Sequence, residues 1–198
     1  MVSTSTLVKE LRGKTGAGIL DCQKALQETG NDVEKAIDRL REKGLAAAQK
    51  KSGRETKEGM VSSYIHAGSK IGVLLEVNCE TDFVARNEEF HGLVKDLALQ
   101  IAAANPSFIK REEVPAEIIE RERAIYFAQV KEMGKPEGAW DKIIQGKLEK
   151  FYQESCLMEQ AFIKEPHVSV KDLVSRFIAK LGENITISRF TRYQMGLE

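Results

Sequence analysis

The chain has 198 residues, of which 42% are hydrophobic and 30% are charged, and its 30 lysines and arginines balance its 30 aspartates and glutamates. This composition is typical of a soluble globular protein of one to two domains and disfavours a globally basic nucleic-acid binder. No apolar run approaches the roughly 20 residues of a membrane-spanning helix. The three cysteines lie far apart and no signal peptide is visible, so we expect a cytoplasmic protein with reduced cysteines.

The first fifty residues have the spacing of short helices separated by glycine turns. Apolar residues recur at helical intervals over Ser3–Lys14 and over Ile19–Glu28, and Asn31 or Asp32 can cap a third helix. We predict that Gly44 ends this third helix, because glycine is common just after a helix C-terminus. Three short helices joined by tight turns predict a small helical module.

The segment Leu45–Glu58 is rich in alanine and then mixed in charge, which favours a solvated helix or a linker. After it, the apolar period changes to that of a strand. Met60–His66 and Ile71–Asn78 alternate in polarity on either side of a four-residue turn, which predicts a β-hairpin. We therefore predict a module with its linker at residues 1–54 and a second domain at residues 55–198.

The second domain continues mainly as helices and closes with a strand at Asn184–Tyr193. Helices and strands are segregated along the chain, which favours an α+β fold. The predicted architecture is a three-helix module followed by a helix-flanked, antiparallel three-stranded sheet domain. The other predicted elements are a helix after Asn87, a helix over Ala116–Met133, a break at Gly134-Lys135-Pro136, a helix over Ala139–Ser155 and a helix from Val170 to Gly182.

The sequence motifs give no support for catalysis or cofactor binding. Gly13-Lys14-Thr15 is similar to the end of a phosphate-binding loop, but Val8 stands where that loop needs a glycine. A predicted helix also precedes it, where the loop needs a strand. His66, His91 and His167 stand singly, without the spacing of a metal site. We therefore expect no metal, no cofactor and no covalent chemistry.

Two apolar features have alternative interpretations. Ile19 and Leu20 lie about 100° apart on one helix, so either both belong to a wide core stripe or one is exposed to a partner. Asp82 and Phe83 follow a predicted buried strand. Either Asp82 caps a helix and Phe83 belongs to the core, or Phe83 is an exposed anchor on the connecting turn.

The basic residues between Lys50 and Lys57 are the candidate contact for a nucleic acid. They are few, are interspersed with acidic residues and lack aromatic neighbours, so a solvated face is the favoured interpretation. The net charge of zero also argues against direct nucleic-acid binding. An RNA-binding protein is therefore the weakest of the functional hypotheses.

Several long stretches carry a resemblance to a known family. Together they span nearly the whole chain in order, and they are Leu7–Arg12, Thr15–Leu26, Leu75–Arg86, Asn105-Pro106, Gly134-Lys135-Pro136, Gly146-Lys147-Leu148 and Gly182-Glu183-Asn184-Ile185. The run Thr81-Asp82-Phe83-Val84-Ala85-Arg86 is the most specific part. The sequence resembles the bacterial translation elongation factor Ts family, the guanine-nucleotide exchange factors of elongation factor Tu.

The resemblance implies a fold and a set of contacts. Members of the family have a three-helix module like a ubiquitin-associated domain, followed by an α+β core. In the module, the residues implied to contact Tu are Arg12, Ile19, Leu20 and Lys24. In the core, the residues implied to enter the G domain of Tu on its magnesium side are Thr81, Asp82, Phe83 and Val84. Phe83 would act as a wedge that loosens the Mg²⁺ and phosphate contacts of GDP.

The length of the chain implies an oligomeric state within this resemblance. Longer members carry two related core halves, whereas this chain has room for one. We therefore expect a homodimer that pairs through its sheets, using the apolar face of the predicted hairpin, and binds two Tu molecules as a Tu2Ts2 complex. A competing hypothesis is a helix-binding adaptor, in which the N-terminal module alone binds and the core only oligomerises.

Overall fold

Helices and strands follow one another nearly as the sequence predicts. The computed structural model describes residues 3–134 and 136–196. Lys135, in the predicted break, therefore lies outside the described residues. The chain forms two compact units; the first comprises the described residues up to 62 with 75–96 and 171–190, and the second comprises 63–74, 97–170 and the described residues from 191 onward. The boundary between residues 54 and 55 stays a prediction.

Three helices make up the N-terminal module, which belongs to the first unit. They are α1 at Thr4–Thr15, α2 at Ile19–Glu28 and α3 at Val33–Lys51. Asp32 caps α3, because its carboxylate accepts a hydrogen bond from the backbone nitrogen of Lys35 at 3.1 Å. The predicted three-helix module is thus confirmed. Its buried core consists of Val8, Leu11, Cys22, Ala25, Leu26 and Ala36.

Two sheets are formed by the strands β1 at Glu58–Ile65, β2 at Ile71–Cys79, β3 at Ala161–Phe162, β4 at Glu165–Ser169 and β5 at Ile185–Gln194. The predicted antiparallel three-stranded sheet is confirmed, and β2 is its central strand. Alternate residues of β2 are buried, which is the pattern of a strand with one face on a core. The second sheet, of the two antiparallel strands β3 and β4, has no counterpart in the prediction, because two residues of β3 are too few to show a period.

Five further α-helices are found in the described part of the chain. Asn87 lies at the start of the second of them, where its side-chain oxygen accepts a hydrogen bond from the backbone nitrogen of Glu89 at 2.8 Å. None of the described helices is both long and apolar enough to cross a membrane. The five helices are α4 at Asp82–Ala85, α5 at Glu88–Ala104, α6 at Ala116–Glu132, α7 at Trp140–Ser155 and α8 at Val170–Leu181.

The prediction that Gly44 ends α3 is wrong, since the helix continues to Lys51 and takes up half of the predicted linker. Gly44 is buried inside α3 and faces α8. A Cβ at this position would lie 3.9 Å from the carbonyl oxygen of Ser175. This is an ordinary van der Waals distance, so Gly44 is a packed position between the two helices. Packing against α8 accompanies the continuation of α3 through Gly44 and offsets the cost of about 1 kcal/mol for a glycine within a helix.

Arg111, in the second unit, contacts α7 and the segment that follows it. Its guanidinium lies 3.0 Å from the carboxylate of Glu149 on α7 and 2.8 Å from that of Glu159, and it stacks 4.6 Å from the ring centre of Tyr152. These carboxylates raise the pKa of Arg111 above its ordinary value. Arg111 is thus a structural cation that holds α7 to the segments before and after it.

Candidate functional site

The first candidate surface lies at the beginning of α2. Gly18 precedes the helix in an extended conformation, and the side chains of Ile19 and Leu20 are 52% and 71% exposed. Cys22 and Leu26, one turn and two turns further on, are fully buried and supply the apolar contact of α2 with the module core. The interpretation of Ile19 and Leu20 as a wide core stripe is therefore wrong, and both are available to a partner.

The two basic residues predicted for the same surface are also exposed. Arg12 lies in the last turn of α1, and Lys24 lies on α2, one turn beyond Leu20. Lys24 lines an open groove between α2 and α3. Salt bridges cross this groove from Lys43 to Asp21 at 2.5 Å and from Arg39 to Glu28 at 2.7 Å.

The second candidate surface is the Thr81–Val84 turn, which follows the end of β2 at Cys79 and contains the start of the one-turn helix α4. Phe83 is 80% exposed, the largest exposed fraction among the large apolar side chains of the described residues. Its assignment to the core is therefore wrong. Asp82 is also exposed and pairs with Arg86 at 2.9 Å, whereas Val84 is buried and anchors the turn.

The cap of α4 is Thr81, so the prediction that Asp82 caps the helix is wrong. The hydroxyl oxygen of Thr81 accepts a hydrogen bond from the backbone nitrogen of Val84 at 3.4 Å. Asp82 instead occupies the first helical position, where an acidic side chain is favoured by the helix dipole. The shift by one residue leaves the carboxylate of Asp82 facing solvent, next to Phe83.

Glu183, just before β5, contacts the start of this turn, and sequence reasoning gave it no role. One carboxylate oxygen accepts hydrogen bonds from the backbone nitrogens of Glu80 and Thr81 at 3.1 and 3.0 Å, and the other accepts one from the Thr81 hydroxyl at 2.7 Å. No pattern in the sequence points to this contact, because Thr81 and Glu80 lie 102 and 103 residues before Glu183 in the chain. Glu183 also lines an open groove beside Phe83.

The end of β2, which leads into the turn, is also held by a hydrogen bond from a buried side chain. The Cys79 thiol donates a hydrogen bond to the carbonyl oxygen of Thr81 at 3.2 Å. Burial, together with the negative charge of Glu183, raises the pKa of Cys79 to about 11. The thiol is therefore protonated at neutral pH and acts as a hydrogen-bond donor, while its low thiolate fraction makes it a poor nucleophile.

Both candidate surfaces belong to the first compact unit. Helix α3 of the N-terminal module is joined to α8 by Arg41, whose guanidinium lies 2.7 Å from the buried carboxylate of Asp172. The packed position Gly44 lies on the same pair of helices. The module and the Thr81–Val84 turn are therefore parts of one compact unit.

The described residues form no arrangement suited to metal binding. Within residues 3–134 and 136–196, no three histidine, cysteine, aspartate or glutamate side chains are placed to hold a metal ion. The same residues leave no buried side-chain nitrogen or oxygen without a hydrogen-bond partner. What the two surfaces offer a ligand is exposed apolar area flanked by charges, which is the composition of a protein-binding site.

A third exposed apolar area lies on the sheet, within the second unit. Ile65, Leu74 and Tyr193 are 63%, 51% and 72% exposed. The Ile65 side chain lies over Gly72, with its terminal carbon 3.2 Å from where a Cβ of Gly72 would stand. The predicted apolar face of β2 is not this one, because Val73, Leu75 and Val77 are buried within the chain.

Comparison with known proteins gives one consistent family. The family model described as Elongation factor TS matches residues 19–197. A relative named Elongation factor Ts from Thermodesulfovibrio yellowstonii is 59% identical over 196 residues, which cover 99% of this chain and 98% of the relative. Proteins with the same name from Geobacter sulfurreducens and a Thermoanaerobacter species are 57% and 59% identical; these matches cover 99% and 96% of this chain and 91% and 93% of the relatives.

Proposed function

Because the chain belongs to the elongation factor Ts family, we propose that it is a guanine-nucleotide exchange factor of elongation factor Tu. It binds Tu in the GDP-bound form and promotes GDP release, so that GTP can bind during translation elongation. The observation that carries this proposal is Phe83, a large apolar side chain that is 80% exposed on a turn held in place by hydrogen bonds. The exchange requires binding only and no covalent chemistry.

The mechanism is thermodynamic linkage between two ligands of Tu. A protein that binds nucleotide-free Tu more tightly than GDP-bound Tu must weaken GDP binding by the same factor. GDP leaves faster when the surroundings of its phosphates and Mg²⁺ are disturbed, because the cation neutralises phosphate charge. Binding energy gained elsewhere on Tu offsets the cost of deforming the nucleotide site.

Phe83 is the wedge in this mechanism. A buried phenylalanine removes roughly 150–250 Å² from water, and in the free protein most of the Phe83 side chain is still in contact with solvent. Insertion into the G domain of Tu therefore gains apolar burial and displaces the side chains that support the Mg²⁺ and phosphate contacts. Thr81 and Asp82 accompany Phe83 on the exposed side of the turn, and Val84 holds its base.

The N-terminal module supplies the remote binding energy. Its proposed contact surface with Tu has an apolar centre, Ile19 and Leu20, and two basic residues, Arg12 and Lys24. Exposed apolar side chains flanked by charges are typical of an interface anchor and its rim. This energy can act at the Thr81–Val84 turn because the module and the turn belong to one compact unit.

Leu20→Asp is expected to weaken binding to Tu by about tenfold or more without unfolding the module. The substitution removes an exposed apolar anchor, whereas an aspartate in the first turn of α2 is compatible with the helix dipole. Titration calorimetry with Tu measures the affinity, and circular dichroism measures the helix content. Ser5→Asp adds the same charge at an exposed position in the first turn of α1, at the opposite end of that helix from Arg12, and should bind nearly as wild type. A loss of helix signal in Leu20→Asp would contradict the exposed position of Leu20.

We also propose that two chains pair through the exposed sheet face to give a Tu2Ts2 complex. The exposed side chains of Ile65, Leu74 and Tyr193 in the second unit support this face as the contact. An apolar sheet face that packs against its own copy is a common dimer interface. A dimer would present two Thr81–Val84 turns and bind two Tu molecules.

Leu74→Glu is expected to convert the dimer to a monomer, because it places two like charges in the middle of the proposed contact. Sedimentation equilibrium should give twice the chain mass of 22.2 kDa for the wild type and the chain mass for the variant. Ala103→Glu adds the same charge at an exposed position of α5 and should stay dimeric. A monomeric wild type at micromolar concentration would overturn the dimer proposal.

The exchange activity is tested with Tu loaded with a fluorescent GDP analogue, in an excess of unlabelled GDP. Substoichiometric amounts of this protein should accelerate release of the analogue over many turnovers. If a folded sample leaves the release rate unchanged, the exchange proposal is wrong and the helix-binding adaptor becomes the better hypothesis.

A further inference from the structure

We propose that Glu183 is a positioning residue for exchange, and that it acts by holding the Thr81–Val84 turn so that Phe83 is presented in one orientation. This inference rests on the proposed exchange function and deepens it. Helix α4 is a single turn of four residues. One turn cannot maintain itself, since helix nucleation is unfavourable. The orientation of Phe83 must therefore be set by contacts from outside the turn.

Glu183 supplies three of these contacts with a single carboxylate. It accepts hydrogen bonds from two consecutive backbone nitrogens, those of Glu80 and Thr81, and from the Thr81 hydroxyl. Hydrogen bonds to an ionised acceptor are stronger than those between neutral groups. The three bonds define both the path of the chain into the turn and the rotation of the Thr81 side chain.

The rotation of Thr81 decides whether α4 has a cap. The hydroxyl hydrogen is donated to Glu183, so a lone pair of the same oxygen is directed at the backbone nitrogen of Val84. At 3.4 Å this cap bond is long and is weak by itself. Without Glu183 the hydroxyl is free to rotate, and the first turn of α4 loses the group that accepts its hydrogen bond.

A reciprocal contact fixes Glu183 in place. The carboxylate of Glu80 accepts a hydrogen bond from the backbone nitrogen of Asn184 at 2.6 Å, while Glu183 accepts from the backbone of Glu80. The Asn184 side chain also donates to the carbonyl oxygen of Arg54 at 2.9 Å. The end of β2 and the start of β5 thus hold each other through two carboxylates, one from each segment.

The orientation of Phe83 depends on these hydrogen bonds, because its exposed side chain makes few packing contacts of its own. At 80% exposure, its position follows from the backbone of the turn. If the turn becomes flexible, Phe83 has to be ordered when Tu binds. The entropy cost of this ordering weakens binding to Tu and lowers the rate of GDP release. The effect of Glu183 on exchange should therefore pass through Phe83.

The test is a double-mutant cycle on GDP release with the full-length protein and Tu. Glu183→Gln keeps the size of the side chain but removes the negative charge and one of the two acceptor oxygens, so the two backbone nitrogens and the Thr81 hydroxyl can no longer all donate to it. In the wild-type background we expect the exchange kcat/KM to fall about tenfold. In the Phe83→Ala background the same change should alter it by less than about twofold. Glu55→Gln, the same exchange of groups at an exposed residue that pairs with Lys57, is the matched control.

Each outcome decides the proposal. An equal loss in both backgrounds would mean that Glu183 contacts Tu itself or supports the fold generally, and no loss in the wild-type background would mean that the turn does not need it; either result overturns the proposal. Amide hydrogen exchange in the free protein gives a readout without Tu, in which Glu183→Gln should lose protection at Thr81 and Val84 and keep it along β2. If wild-type protein does not accelerate GDP release, the proposed function fails, and this readout still decides the positioning of the turn.

Discussion

Phe83→Ala is expected to slow catalysed GDP release from Tu by about 10- to 100-fold while the protein stays folded. Anchor residues of this kind contribute about 2 kcal/mol or more to an interface, and each 1.4 kcal/mol corresponds to a factor of ten. The free protein loses little, because the side chain is 80% exposed and its truncation removes little buried area. Stopped-flow release of a fluorescent GDP analogue measures the first effect, and urea unfolding measures the second.

Phe127→Ala is the matched control for this prediction. Phe127 is also a phenylalanine with an exposed side chain, 48% exposed, but it lies on α6, where its ring contacts Trp140. The control should release GDP at the wild-type rate. If Phe83→Ala releases GDP as fast as the wild type, Phe83 is not the wedge, and the binding energy of the module must act on the nucleotide site by another route.

Gly59→Ala is expected to lower the free energy of unfolding by about 3 kcal/mol or more, which is the largest stability effect we predict. Gly59 has φ +145°, a backbone conformation that residues with a Cβ rarely adopt. A Cβ at Gly59 would also lie 2.6 Å from the Cα of Asn78, and the carbonyl of Val77 is still closer. These neighbours are backbone atoms of the central strand β2, so they cannot move aside without breaking the sheet.

Gly92→Ala separates this effect from the general effect of adding a methyl group. Gly92 lies in the interior of α5, is exposed, and has no atom within 4 Å of the position of a Cβ. The control should be neutral or more stable by up to about 1 kcal/mol, since alanine is the better helix former. Urea midpoints of the two variants provide the comparison, and an unchanged midpoint in Gly59→Ala would show that β1 and β2 can separate at this point.

Local sequence patterns were sufficient to predict most of the helices and the three-stranded sheet. The apolar period over Ile19–Glu28 predicted α2 to the residue, and Asp32 was one of two caps considered for α3. These signals depend on residues within about one helical turn of each other, so the sequence alone contains all the information that they require. Gly44 shows where such a signal fails. A glycine that ends a helix and a glycine buried inside a helix against a second helix look the same until the second helix is known.

The sequence therefore determined the family, the order of the elements and the two short segments that we propose to contact Tu. Tertiary structure decided which side chains of those segments face solvent. Leu20 and Phe83 each had a core alternative in the sequence, because exposure depends on what the rest of the chain places beside a residue. The same holds for Glu183, whose contacts with Thr81 join segments 102 residues apart. Tertiary packing brings such partners together, and the local periodicity of the sequence contains no information about these distant contacts.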